Sequence, residues 1–144
     1  MDYKHTFLAG FFGLCAILLA SGCSGNVQGG GTVSFPDGTP LDRGIVRFSN
    51  NQYQYTGDIR PDGKYRLGGL KPGDGLPPGT YQVVVIEVYD DNEVSILDAK
   101  YESPTTSGIS FEVVKGRKEP FDITVERSHT PRIPPPRPPA DGRQ

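Results

Sequence analysis

TYQVVVIEV, Thr80 to Val88, carries β-branched or aromatic residues at seven of its nine positions. Such residues suit a pleated backbone. Aliphatics fall on both faces of the run, so it is expected as a strand lying centrally in a sheet, flanked on either side. Upstream, GGLKPGDGLPPG (Gly68 to Gly79) has no strand pattern of its own and reads as a connection. Before it, RPDGKYRL (Arg60 to Leu67) reads as a hairpin turning at Asp62-Gly63, with Tyr65 and Leu67 inward and Lys64 and Arg66 outward. Tyr53 to Ile59 is a polar-aromatic run. In Gly44 to Phe48, Val46 and Phe48 point one way, Ile45 and Arg47 the other. FPDGTPL (Phe35 to Leu41) is a turn, because Pro36 presets φ and Gly38 admits a positive one. It follows a first strand at Gly31 to Phe35.

Downstream, Glu93 to Leu97 is a short edge strand. Ile109 to Val114 and Phe121 to Glu126 close the pattern, with Phe121, Ile123 and Val125 inward. No helical periodicity accompanies these runs. The expectation is an all-β domain over residues 32–127: an antiparallel two-sheet β-sandwich of about seven strands, prealbumin-like or Ig-like. The absence of Trp and of a disulfide argues against the antibody-type variant.

The rest of the 144-residue chain differs in composition. FLAGFFGLCAILLA, Phe7 to Ala20, is shorter than the ~20 apolar residues a spanning helix needs and suits a signal-peptide core. It ends in LASGC. Leu19, Ala20, Ser21 and Gly22 before Cys23 resemble a bacterial lipobox, which implies that residues 1–22 are removed and that the Cys23 thiol receives a lipid. Ala20 departs from the pattern, where Leu is usual. The alternatives are an ordinary signal peptide cut near Gly22 and an uncleaved anchor. Residues 23–31, including NVQGGG, read as a flexible tether. Residues 128–144, with HTPRIPPPRPPADGRQ, read as a disordered Pro/Arg-rich tail. Arg132, Arg137 and Arg143 against Asp141 give the tail +2. Asp2 and Lys4 cancel, so Cys23 to Ser128 carries −4 of the net −2. No basic footprint for nucleic acid is visible in this balance.

Several motifs together resemble one family. They are FPDGTPLDRGIVRF, DIRPDGKYRL, GLPPGTYQVVV, AKYESPTTSGISFEV and FDITVE. Their order and spacing are similar to those of small planctomycete-type lipoproteins with a carboxypeptidase-regulatory-like, transthyretin-like domain. The resemblance runs from about Gly30 to Arg127. It implies a prealbumin-like sandwich, export and no catalytic residues. The transthyretin-related hydrolases share that fold but act through His residues and a C-terminal Tyr-Arg-Gly-Ser motif, which this sequence does not carry.

Cys15 and His5 would leave with the signal and Cys23 would be acylated, which leaves His129 at the start of the tail. A catalytic triad, a Cys-His pair or a His-based zinc site is therefore not expected, and neither is a cofactor. Two surface features invite a ligand. Tyr53, Tyr55 and Tyr65, with Asn50, Asn51 and Gln52, could line a sugar platform of rings and amides. Asp90, Asp91, Asn92 and Glu93 crowd oxygen ligands into one loop, a weak calcium candidate without EF-hand spacing. YESPTTSG, Tyr101 to Gly108, reads as structural turn chemistry. The expected function is that of a non-catalytic, lipid-anchored structural or protein-interaction module of the cell envelope, at the outer membrane or periplasmic face. A carbohydrate- or wall-polymer-binding module is the alternative. Its partners would be the membrane, through the lipid, and an envelope protein or polysaccharide. Without the lipid it would be secreted.

Overall fold

The computed structural model of the protein describes residues 25–68 and 75–133. The stretch read as a signal, Leu19 to Cys23, residues 69–74 of the connection, and the residues from 134 onward lie outside the described residues. Within them the chain is all-β. It forms β1 (Gly30–Ser34), β2 (Ile45–Ser49), β3 (Gln54–Asp58), β4 (Lys64–Arg66), β5 (Gly79–Ile86), β6 (Ser95–Leu97), β7 (Ile109–Val113), β8 (Ile123–Thr124) and β9 (Arg127–Arg132). One 3₁₀ turn, Ala99–Glu102, is capped by the Asp98 carboxylate accepting from the Lys100 N–H.

The largest sheet is ordered β3-β2-β5-β7 and is antiparallel throughout. β5, the strand of the TYQVVVIEV run, lies between two partners, with Val46 opposite Val85 and Tyr81 opposite Phe111. Its flanked position satisfies its backbone on both edges and matches the expectation from its two apolar faces. A second sheet is ordered β4-β1-β8, and β6 pairs with β9. Val33 of β1, Tyr65 of β4, Ile123 of β8, Val46 and Phe48 of β2, Val83 and Val85 of β5, and Leu97 of β6 all join one buried core. Phe48 is fully buried at its centre. Its ring lies 5.6 Å from Phe121, 5.7 Å from Phe111 and 6.4 Å from both Tyr65 and Tyr81. Phe121 meets it edge to face and Phe111 stacks on it, and such pairs add about 0.5–1.5 kcal/mol each beyond burial.

Four expectations are corrected. First, the last inward-alternating run is not antiparallel to its neighbour: β8 runs parallel to β1. Phe121 N–H donates to Gly30 O and Val125 N–H to Ser34 O, a slanted parallel ladder. The inward set, Phe121, Ile123 and Val125, is buried as its period-2 pattern demands. Second, the Asp62-Gly63 turn forms as expected, with Gly63 at φ 78° and its N–H donating to Arg60 O. Arg60 N–H donates to Lys64 O and Thr56 bridges Gly68 antiparallel, so the hairpin closes locally, yet its two arms take their main ladders in different sheets. β3 pairs with β2 and β4 pairs with β1, so the chain changes sheet at this turn. β3 and β4 still approach closely: a Cβ on Gly57 would lie 2.4 Å from Arg66 O.

Third, the stretch read as a tether is docked from Val27 onward. Val27 is buried and exchanges backbone hydrogen bonds with Leu76, at 2.8 and 2.7 Å. Gly30 and Gly31 belong to β1, where a Cβ on Gly31 would lie 2.3 Å from Phe121 O. These glycines permit close backbone approach rather than looseness. Fourth, the stretch read as the start of a disordered tail holds β9, which carries His129 on its exposed surface. Polar contacts fix it. The Arg127 guanidinium lies 3.8 Å from the Phe35 ring centre and 3.0 Å from the Asp37 carboxylate. Arg132 donates to Glu102 at 2.9 Å and to Leu97 O at 3.2 Å. A reading of apolar periodicity does not detect a strand held this way.

Candidate functional site

The three tyrosines expected to form one surface are divided. Tyr53 and Tyr55 are two residues apart and lie on one face, with ring centres 6.2 Å apart. Tyr53 is exposed and Tyr55 half-buried. Tyr65 sits in the core at 4% exposure, and its hydroxyl donates to Phe121 O. Burial pushes that hydroxyl's pKa strongly upward, with the Asp122 charge acting the same way. Tyr65 is therefore a packing residue, removed from the platform because β4 faces inward at that position.

Tyr81 takes the place proposed for it. Its ring lies 6.2 Å from Tyr55, edge to face, and its hydroxyl donates to Pro77 O at 2.9 Å. Burial and the neighbouring Tyr55 raise its pKa, against a hydrogen bond from the Asn50 side chain. Tyr53, Tyr55 and Tyr81 thus form a row descending from solvent into the core. Asn50 serves the local backbone: its carboxamide oxygen accepts the N–H groups of Gln52 and Tyr53 at 2.9 and 2.8 Å. That Asx turn fixes the loop entering β3 and orients Tyr53. Tyr81 could have been found by noting that odd positions of β5 face the same side as Tyr55 across β2.

The acidic loop is a capped turn. One Asp90 oxygen accepts the N–H groups of Asn92 and Val94, both at 2.9 Å, and these bonds lower its pKa. Glu93 takes a left-handed backbone, φ 60°, and its N–H donates to Asp90 O. Asp91 pairs with Arg43 at 2.9 Å. The oxygens expected to gather round a cation are divided between backbone donors and an arginine. Among the described residues no group of three or more His, Cys, Asp or Glu side chains is placed to hold a metal ion. In YESPTTSG, Ser107 N–H donates to Ser103 O, Thr106 Oγ1 donates to Lys100 O, and Gly108 sits at φ 66°. These are turn contacts, as read from the sequence.

The sequence reading passed over a group of cations. Lys64 and Arg66 alternate outward on β4, opposite Thr32 and Gly30 of β1. With Arg60 and Lys118 they line a cavity of about 370 Å³ whose floor includes Gly29, Gly30 and Gly31. The pattern was legible as R-x-x-x-K-x-R beside a glycine run, but only the β1–β4 register brings the two together.

Leu19, Ala20, Ser21, Gly22 and Cys23 lie outside the described residues. Among those described, no helix is long and apolar enough to cross a membrane. The chain matches no protein-family model, no curated protein and no solved structure.

Proposed function

We propose that the protein is a lipid-anchored module of the bacterial cell envelope, acylated at Cys23, whose β-domain serves a non-catalytic structural or interaction role. In this reading the two larger sheets face one another as a prealbumin-like sandwich. The packing of Phe48 against Tyr65 and Phe121 supports that arrangement. The LASGC motif supports acylation, and the resemblance to transthyretin-like lipoproteins agrees with both.

The observation that carries the reading is where the domain begins. Val27 is already buried and bonded to Leu76, four residues after Cys23. A lipid on Cys23 would hold the domain within about 14 Å of the bilayer surface, given about 3.5 Å per extended residue. Such anchoring is strong, since each buried CH₂ contributes about 0.8 kcal/mol and acylation adds long chains. The test is intact mass and membrane fractionation of the native protein beside Cys23→Ala. A native chain that starts at Cys23 with added acyl mass, lost in the variant, supports the reading. A chain cut elsewhere and released without lipid overturns it.

The row of Tyr53, Tyr55 and Tyr81 supports a second reading, a carbohydrate- or wall-polymer-binding module, because an exposed ring beside a half-buried one offers a stacking face. Glycan-array binding that Tyr53→Ala abolishes would favour it over the first.

A further inference from the structure

We propose that the cavity over the β1–β4 edge binds the phosphate group of an anionic membrane phospholipid. The argument begins with charge. Cys23 to Ser128 carries a net −4, yet Arg60, Lys64, Arg66 and Lys118 converge on this one cavity. Glu119 is the acidic residue in its lining. Lys64 is partly engaged by Asp62, at 3.5 Å. Guanidinium groups suit phosphate oxygens because their N–H donors can bind two at once.

The floor explains why a group can approach. Gly30 lies opposite Arg66 and lines the cavity as bare backbone. The glycine is enforced by packing: a Cβ there would lie 2.9 Å from Tyr65 O. A volume of about 370 Å³ admits a phosphodiester headgroup.

Position selects the source of the phosphate. Gln28 lines the cavity five residues from Cys23, within about 18 Å of extended chain. This step rests on the lipid-anchored reading. A domain so tethered would present the cavity to the headgroup layer, where basic residues are drawn to anionic lipid over roughly a Debye length.

The full-length chain in uncharged detergent micelles would be titrated with dihexanoyl phosphatidylglycerol, dihexanoyl phosphatidylcholine and inorganic phosphate, following the amide resonances of Gly30, Gly31 and Arg66. Saturable shifts with phosphatidylglycerol, about tenfold tighter than with phosphatidylcholine, are expected. Arg66→Gln and Lys118→Gln should each weaken the phosphatidylglycerol affinity about fivefold, with the β5 amides unmoved as evidence of an intact fold. Inorganic phosphate binding as tightly as phosphatidylglycerol would show phosphate chemistry without a membrane source and overturn the lipid assignment. No shift with any of the three overturns the site. Neither result depends on acylation, so failure here is separable from failure of the Cys23 mass test.

Discussion

Asp37 shows how much one exposed side chain can organise. Its carboxylate accepts the Thr39 N–H at 2.9 Å, closing the turn after β1, and pairs with Arg127 at 3.0 Å, fixing the start of β9. These contacts, the bonds from Thr39 foremost, hold its pKa at about 2, below the ordinary carboxylate value of about 4. A depressed folded-state pKa contributes stability that is complete above the unfolded value and is lost as pH falls through the folded one. Between about pH 4 and pH 2 the wild type should therefore lose melting temperature faster than Asp37→Asn, and the gap between them should close by about pH 2. Thermal melts across pH 2–5 measure this, and parallel profiles would refute the role given to the carboxylate. The Asp37 turn was readable locally, because Pro36 and Gly38 set the backbone around it. Its pairing with Arg127, 90 residues away, was not.

At the scale of elements, β9 is the instructive case. Its sequence, RSHTPR, has no apolar alternation, and from sequence a chain ending at Ser128 is expected still to fold. The contacts beyond Ser128 add a cost to that expectation. Arg132 bonds Glu102, Ser95 Oγ and Leu97 O, and β9 is the ladder partner of β6. Truncation after Ser128 removes these bonds and strips Ser95 of its ladder partner Arg132, while Arg127 stays opposite Leu97. A loss of about 1–2 kcal/mol is expected, since partly exposed ion pairs and hydrogen bonds contribute about 1 kcal/mol or less each. Amide exchange should accelerate in β6 while β5 stays protected. Exchange unchanged in β6 would show that β9 adds nothing to it.

Over the whole molecule, one core joins all three sheets, and Phe48 is its hub. Phe48→Ala should destabilise the domain by about 3–5 kcal/mol, a large share of the roughly 5–15 kcal/mol typical of a single domain. Urea unfolding should show a lower midpoint with an unchanged slope. A loss under about 1 kcal/mol would mean that the sheets are stabilised separately. The strand runs, the β5 centre and the turns at Gly38 and Gly63 follow from the sequence alone, because period-2 burial and positive φ are local properties that each residue carries with it. The inward sets of β2 and β8 were legible for the same reason. What the tertiary structure decided is everything that depends on which strand meets which: the parallel β1–β8 pair, the change of sheet after Gly63, and the docking of Val27 on Leu76. The same holds for the site. Tyr53 and Tyr55 adjoin through their spacing, but Tyr65 left them for the core, Tyr81 joined them across β2, and the cations of β4 met the glycines of β1 only through register. Backbone hydrogen bonding is chemically alike in every strand, so pairing is selected by the fit of the assembled core and not by any one segment.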